Sequence, residues 1–223
     1  MSRLQVFTLS LIAAVPLWAV TGGVRIGGGQ PDEVTALARD ASGAVYAVGT
    51  THSPGLGSEG GGLSGRPAQA LFPGDVFVQK MTANGEVLWR AVFGGSHRDV
   101  AAAVAVDPEG YVHVTGSTLS LDFPLSEGAF RKADRSEHYW KGDAFVTKLS
   151  PDGGRIVYST LYGGGEADEG TSIAIDSEGR AVVAGITFSD DLPTTGQTIR
   201  PKVCGGFGYD SFVAKLSQAG DRL

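Results

Sequence analysis

Aspartates recur at matching places along the chain, and their carboxylates are the groups best suited to chemistry. Asp32, Asp99 and Asp168 each follow a glycine-rich segment, and Glu169 comes directly after the last of them. Carboxylate oxygens are the ligands that Ca²⁺ prefers, so one interpretation is a cation site or a surface for a basic partner. The alternative is that each Asp accepts hydrogen bonds from nearby backbone N–H groups and holds a turn. The turn-holding role is favoured, because no segment has the regular Asp/Asn spacing of a calcium-binding loop.

Two further sets of residues are candidates for a structural or a binding role. Asp75, Asp143 and Asp210 each open a similar segment, and a residue that recurs in every copy is expected to support the structure. Trp140 lies beside Tyr139 and could stack on a sugar or a peptide, or pack against a strand nearby. The sequence assigns no metal ligands, and Ca²⁺ is the one cofactor that it leaves open.

No cluster of residues indicates catalysis. The single cysteine, Cys204, has no His or Cys neighbours at metal-ligand spacing, and no nucleophile accompanies His97 and Asp99. Glycine-rich stretches such as Gly163–Gly165 do not precede predicted helices, so they lack the context of a phosphate-binding loop. The sequence therefore favours a protein without catalytic residues.

The composition excludes two broad classes of protein. Of 223 residues, 34 are Gly and 10 are Pro, a share well above the average of about 12%, which argues against a mostly helical fold. The net charge of −6 argues against a nucleic-acid partner, because surfaces that bind nucleic acid are usually basic. With 42% apolar residues the chain has enough material for a folded core.

The N-terminal segment, residues 1–21, has the pattern of a secretory signal peptide. Arg3 precedes an apolar run, Val6–Val20, and small residues follow it. This run is shorter than the stretch of about 20 apolar residues that a transmembrane helix needs, so a stable membrane span is not predicted. A buried N-terminal helix or a short membrane anchor is the alternative. We expect the mature protein to be secreted, periplasmic or at the cell surface.

The rest of the chain, residues 22–223, is a tandem repeat. Similar segments begin at Gly74, Gly142 and Tyr209, which are almost equally spaced. A second segment that ends in Gly-x-Thr also recurs; its copies are Val34–Thr51, Ala101–Thr118 and Thr171–Thr187. A fixed period of this length indicates an array of one supersecondary unit.

Each unit is predicted to hold four short strands, A to D. In the clearest copy they are Ala144–Leu149, Arg155–Tyr162, Ser172–Asp176 and Ala181–Thr187, separated by turns rich in Gly, Pro and Asp. Strands of this length joined by tight turns form a four-stranded antiparallel sheet, and repeated sheets of this kind are the blades of a β-propeller. The units cover about residues 24–51, 75–118, 143–187 and 210–223.

These segments resemble the SBBP repeats, a family of bacterial β-propeller repeats. The resemblance rests on the runs Gly142–Gly153, Tyr158–Gly164 and Ile173–Gly179, together with Leu121–Pro124 and Gly128–Phe130. It implies a secreted or surface-exposed repeat protein, often part of a larger chain. It implies no activity, since the family shares no catalytic residues that could be carried over.

The strand count predicts an all-β partial propeller of about three four-stranded blades. Val24–Gly28 aligns with the end of a B strand, so a leading B, C and D could join the trailing A as one composite blade. Complete propellers have about four to eight blades. The chain is therefore expected to be part of a longer propeller, or to pair its open edges with another copy, for example as a six-bladed homodimer.

The alternating strand directions place all the long connections on one side. The B→C turns and the D→A connections share a face, which we call the long-loop face. The D→A connections are Thr51–Gly74, Thr118–Gly142 and Thr187–Tyr209, and loops of this length usually bind something or are disordered. We predict an exported binding or scaffold protein that contacts a protein, a glycan or a cation through this face. The alternative is a propeller-based enzyme, such as a polysaccharide lyase, a hydrolase or a quinoprotein.

Overall fold

A computed structural model gives the fold of most of the chain. The structure describes residues 23–54, 56–57, 59–63, 74–130, 141–195 and 208–223. The predicted signal peptide, Trp140 and Cys204 lie outside the described residues. Across the ranges that are described, no helix has the length and apolarity needed to cross a membrane.

The described residues form eleven strands in three antiparallel sheets, which confirms the predicted all-β partial propeller. The strands are β1 (Asp32–Arg39), β2 (Val45–Thr51), β3 (Asp75–Met81), β4 (Val87–Phe93), β5 (Asp99–Val106), β6 (Val112–Thr118), β7 (Asp143–Leu149), β8 (Ile156–Tyr162), β9 (Asp168–Ile175), β10 (Ala181–Thr187) and β11 (Asp210–Lys215). Blade 1 contains β1–β4, blade 2 contains β5–β8 and blade 3 contains β9–β11.

The grouping of strands into sheets differs from the prediction. Blades 1 and 2 have the order C–D–A–B and blade 3 has the order C–D–A, so the strands predicted as one sheet, A to D, are divided between two blades. The D and A strands pair along their whole length, from Thr118 opposite Asp143 to Val112 opposite Leu149, although a long connection separates them. The short glycine-rich B→C turn is the true boundary between blades.

Two other predictions about strands were wrong. Val24–Gly28 is not part of a strand, and β11 pairs with β10, so the composite blade does not form in the described residues. Strand C begins at Asp168 rather than at Ser172, and its register against β10 shifts between Ala184 and Gly185. This irregularity interrupts the alternation that would have revealed the start of the strand.

The blades stack face to face, and each has a forward face toward the next blade and a rear face toward the preceding one. Between blades 1 and 2 the buried side chains include Tyr46 and Val78 from one forward face and Phe145 from the facing rear face. Between blades 2 and 3 they include Val146 and Phe212. Burial of each such side chain contributes roughly 1.5–3 kcal/mol, so packing between blades is a main source of stability.

Candidate functional site

The B→C turn between blades 1 and 2 is fastened to the D→A loop of blade 2 by Asp99. Oδ2 of Asp99 accepts hydrogen bonds from the Gly95 N–H (2.7 Å) and the Ser120 hydroxyl (2.9 Å). Oδ1 accepts a short hydrogen bond from the Thr118 hydroxyl. Ser120 Oγ also accepts a hydrogen bond of 2.9 Å from the His97 N–H. Both oxygens of the Asp99 carboxylate therefore have donors within the protein.

The same junction recurs at the starts of β1 and β9. Asp168 Oδ2 accepts hydrogen bonds from the Gly164 N–H (2.7 Å) and the Ser189 hydroxyl (2.8 Å). Asp32 Oδ2 accepts from the Gly28 N–H at 2.7 Å. Burial alone would raise the pKa of Asp32, but its hydrogen bonds outweigh burial and lower the pKa below the usual value. These bonds are the arrangement that the turn-holding alternative requires.

A second carboxylate from each D→A loop also binds the preceding turn. Asp122 Oδ1 accepts a hydrogen bond of 2.7 Å from the Ser96 N–H, and Asp191 Oδ1 accepts one of 2.7 Å from the Gly165 N–H. This turn-holding role was predicted for Asp32, Asp99 and Asp168 but not for these two residues. The turns before β5 and β9 are thus each tied by two carboxylates to the described start of the D→A loop that follows.

Asp75 and Asp99 form a buried carboxylate pair beside Gly94. A Cβ atom at Gly94 would overlap Asp75 Oδ1 and lie 2.7 Å from Asp99 Oδ2. Asp75 Oδ1 is buried and has no hydrogen-bond partner among the described residues. Burial, together with the charges of Asp99 and Asp122, raises the pKa of Asp75 to about 7. Burial also raises the pKa of Asp99, to about 6, against the opposing effect of its hydrogen bonds.

The other predicted site residues lie in different surroundings. Asp143 occupies the position of Asp75 in blade 2, and Gly163 lies between it and Asp168. Asp210 opens β11 opposite Thr187, where no further blade follows it in the described residues. Glu169 is half-buried in β9 opposite Ile186. Among the described residues, no three His, Cys, Asp or Glu side chains are grouped so that they could hold a metal ion.

An exposed pair of aromatic rings, which was not predicted from the sequence, lies on the long-loop face of blade 3. Phe188, directly after β10, is 41% exposed, and Tyr209, directly before β11, is 60% exposed. Their ring centroids lie 5.7 Å apart, with an angle of 53° between the ring planes. The corresponding positions are His52 and Gly74 in blade 1, and Leu119 and Gly142 in blade 2. The ring pair is therefore particular to blade 3.

Comparison with protein families agrees with this architecture. The SBBP family, described as a beta-propeller repeat, matches residues 88–124 and again residues 157–193. The chain carries SBBP beta-propeller repeats. Each matched SBBP repeat begins in a B strand, crosses the C and D strands of the next blade and ends in its D→A loop. No curated protein matches the chain.

The two matched SBBP repeats contain four of the five turn-holding carboxylates, all but Asp32, and only half of the ring pair. Asp99 and Asp122 lie in the first match, and Asp168 and Asp191 lie in the second. This placement agrees with a role in the repeat framework. Phe188 lies in the second match, whereas Tyr209 lies beyond it. The ring pair thus adds a local feature to the shared repeat.

Proposed function

We propose that the chain is an exported, non-catalytic binding or scaffolding protein that contacts a glycan or a protein through its long-loop face. The exposed pair Phe188 and Tyr209 is the observation that carries this proposal. Export is inferred from the apolar run that follows Arg3 near the start of the chain.

The chemistry around the rings favours a glycan. Aromatic faces stack on the apolar C–H face of a sugar ring, and large exposed aromatic side chains are common where ligands bind. Asp190 and Asp191 are exposed in the same loop as Phe188 and can accept hydrogen bonds from hydroxyl groups. A surface that combines flat apolar rings with carboxylates suits a polyhydroxylated ligand.

The backbone that presents Phe188 is already ordered. The Phe188 N–H donates a hydrogen bond of 2.9 Å to the carbonyl oxygen of Ala167. The next residue, Ser189, donates from its hydroxyl to Asp168 and from its N–H to Thr187 Oγ1. Binding to such a surface costs little conformational entropy, because the backbone does not have to be fixed when the ligand arrives.

A non-catalytic role is supported by where the most perturbed carboxylates lie. Asp75 and Asp99 have strongly raised pKa values, as catalytic acids often do, but they are 3% and 0% exposed. A substrate on the long-loop face could not reach them. Their environment is that of a structural junction between blades.

The proposal is tested by binding of the full chain to a printed glycan array, followed by titration calorimetry with the best ligand. Phe188→Ala and Tyr209→Ala should each weaken binding about tenfold, since loss of one stacking contact costs about 1.4 kcal/mol. Leu121→Ala is the matched control, because Leu121 is 51% exposed in the D→A loop of blade 2. Repeating the titration with Ca²⁺ and with EDTA tests whether a cation takes part.

Two results would contradict the proposal. One is glycan binding that the Phe188→Ala/Tyr209→Ala double variant retains in full, because the ligand would then contact another surface. The other is turnover of a chromogenic glycoside by the purified chain, which would make the protein an enzyme.

A further inference from the structure

The forward face of blade 3 has the side chains of a blade interface but no blade against it in the described residues. The third residue after the Asp that opens each A strand is valine: Val78, Val146 and Val213. Val78 and Val146 are 0% and 1% exposed, because the next blade covers them. Val213 is 74% exposed. In the other two copies of the repeat, this position is therefore covered by the next blade.

Neighbouring positions on the same face follow the same pattern. Tyr46 and Val48 in β2 are fully buried against blade 2, whereas their equivalents in β10, Val182 and Ala184, are only half-buried. Ser211, in the position of the fully buried Val76, is exposed. An open groove of about 1490 Å³ borders this side and is lined by β11 and the turn that follows it.

The rear face of blade 1 is the complementary surface. Leu37, the fifth residue after the Asp that opens its C strand, is 65% exposed. Ile173 has the same position in blade 3 and is 9% exposed, since it packs against blade 2. Val34 is 44% exposed, whereas Ala101, its equivalent in blade 2, is fully buried. Leu37 and Val34 are thus exposed in blade 1, whereas the equivalent residues Ile173 and Ala101 are buried between blades.

We propose that a second copy of the chain docks the rear face of its blade 1 against the forward face of blade 3, repeating the contact between consecutive blades. The contact joins two different faces, so it is a head-to-tail interface, which closes into a ring when the rotation permits. The described residues of two copies supply six blades, two of them three-stranded, and closed propellers have about four to eight. This inference rests on the fold and not on the proposed function.

The test is the mass of the full chain in solution, measured by sedimentation velocity over a wide concentration range. The expected species has twice the mass of the 23.0 kDa chain. Val213→Asp and Leu37→Asp should each raise the dissociation constant of the dimer at least tenfold, because each places a charge in an apolar contact. Both side chains are exposed in the single chain, so neither substitution should disturb folding, and unchanged circular dichroism checks this. Leu121→Asp, also at an exposed leucine, should leave the dimer intact.

A mixture of the two variants tests the head-to-tail geometry. The Leu37→Asp variant keeps an unchanged forward face on blade 3, and the Val213→Asp variant keeps an unchanged rear face on blade 1. One unaltered interface can therefore form between one chain of each variant. Mixing should therefore restore pairing that neither variant shows alone. A monomer at all concentrations would overturn the proposal. A dimer that only one of the substitutions disrupts would also overturn it, since the contact would then join like faces.

Discussion

The indole of Trp89 in blade 1 lies flat against Gly153 in the A→B turn of blade 2. A Cβ atom at Gly153 would be 2.5 Å from Trp89 Cε3, and the backbone there has a φ of +67°. Trp89 Nε1 also donates a hydrogen bond of 3.0 Å to the carbonyl oxygen of Pro151 in the same turn. Tyr158 and Gly220 repeat the contact between blades 2 and 3. The outer edges of consecutive blades are joined in this way.

Gly153→Ala should destabilise the protein by about 2–4 kcal/mol, because it adds a clash with Trp89 to the cost of a left-handed alanine. Gly179→Ala is the matched control. Gly179 has a similar φ of +74°, but no atom of the described residues lies within 4 Å of the position of its Cβ, so we expect a loss of only about 1–2 kcal/mol. Urea unfolding measures both values. If the two variants lost the same unfolding free energy, Trp89 would have moved aside without an energetic cost, and the contact between the blades would not be tightly packed.

Ser120→Ala should destabilise the protein by about 1–3 kcal/mol. Its hydroxyl donates to Asp99 and accepts from the His97 N–H, so the substitution leaves two buried or half-buried groups without that partner. Ser177→Ala, at an exposed position in a C→D turn, should change stability by less than about 0.5 kcal/mol. Thermal unfolding distinguishes the two. If Ser120→Ala left the stability unchanged, the hydrogen bonds of Ser120 would not be what fastens the B→C turn to the D→A loop.

Asp75→Asn should stabilise the protein increasingly as the pH rises from about 4 to about 7. The pKa of Asp75 is about 7 in the folded chain, against an ordinary value of 3.8. Between these values the folded state holds a proton that the unfolded state has lost, so the contribution of Asp75 to stability is complete below the lower value and disappears as the pH passes the upper one. Asparagine does not ionise, so the Asp75→Asn variant does not lose stability in this way as the pH rises.

The measurement is the difference in melting temperature between variant and parent across that pH range. A difference is needed because His113 acts in the opposite direction: burial lowers its pKa to about 4, so it favours the folded state more as the pH rises. Asp210→Asn is the control at the same repeat position, where no following blade places a carboxylate opposite in the described residues. A difference that does not grow with pH would show that Asp75 is ionised in the folded chain.

The sequence predicted the strands better than it predicted their partners. Ala181–Thr187 has the predicted bounds, and the strand predicted as Ala144–Leu149 begins one residue earlier, because apolar alternation and turn residues mark strands locally. A tandem repeat has no intrinsic starting point, however, so its period cannot show which strands share a sheet. Long loops close at little extra entropic cost, and strands D and A pair across one.

The candidate site was only partly predictable for a similar reason. Asp32, Asp99 and Asp168 could be recognised because they recur in register. Phe188 and Tyr209 do not recur, and they lie far apart in the chain, so only the pairing of β10 with β11 reveals that their rings meet. A sign was nevertheless present, since both are aromatic where the other blades carry smaller or more polar residues.

The D→A loops also run along the outermost strands, with a consequence for aggregation. Glu59 bridges Arg90 in β4, the Val92 N–H donates to the Leu63 carbonyl, and the Ser126 N–H donates to the Ser159 carbonyl in β8. Part of the rim of blades 1 and 2 is therefore screened from foreign strands that would otherwise extend the sheets sideways. An uncovered edge strand favours edge-to-edge aggregation, and these loop residues oppose it in blades 1 and 2.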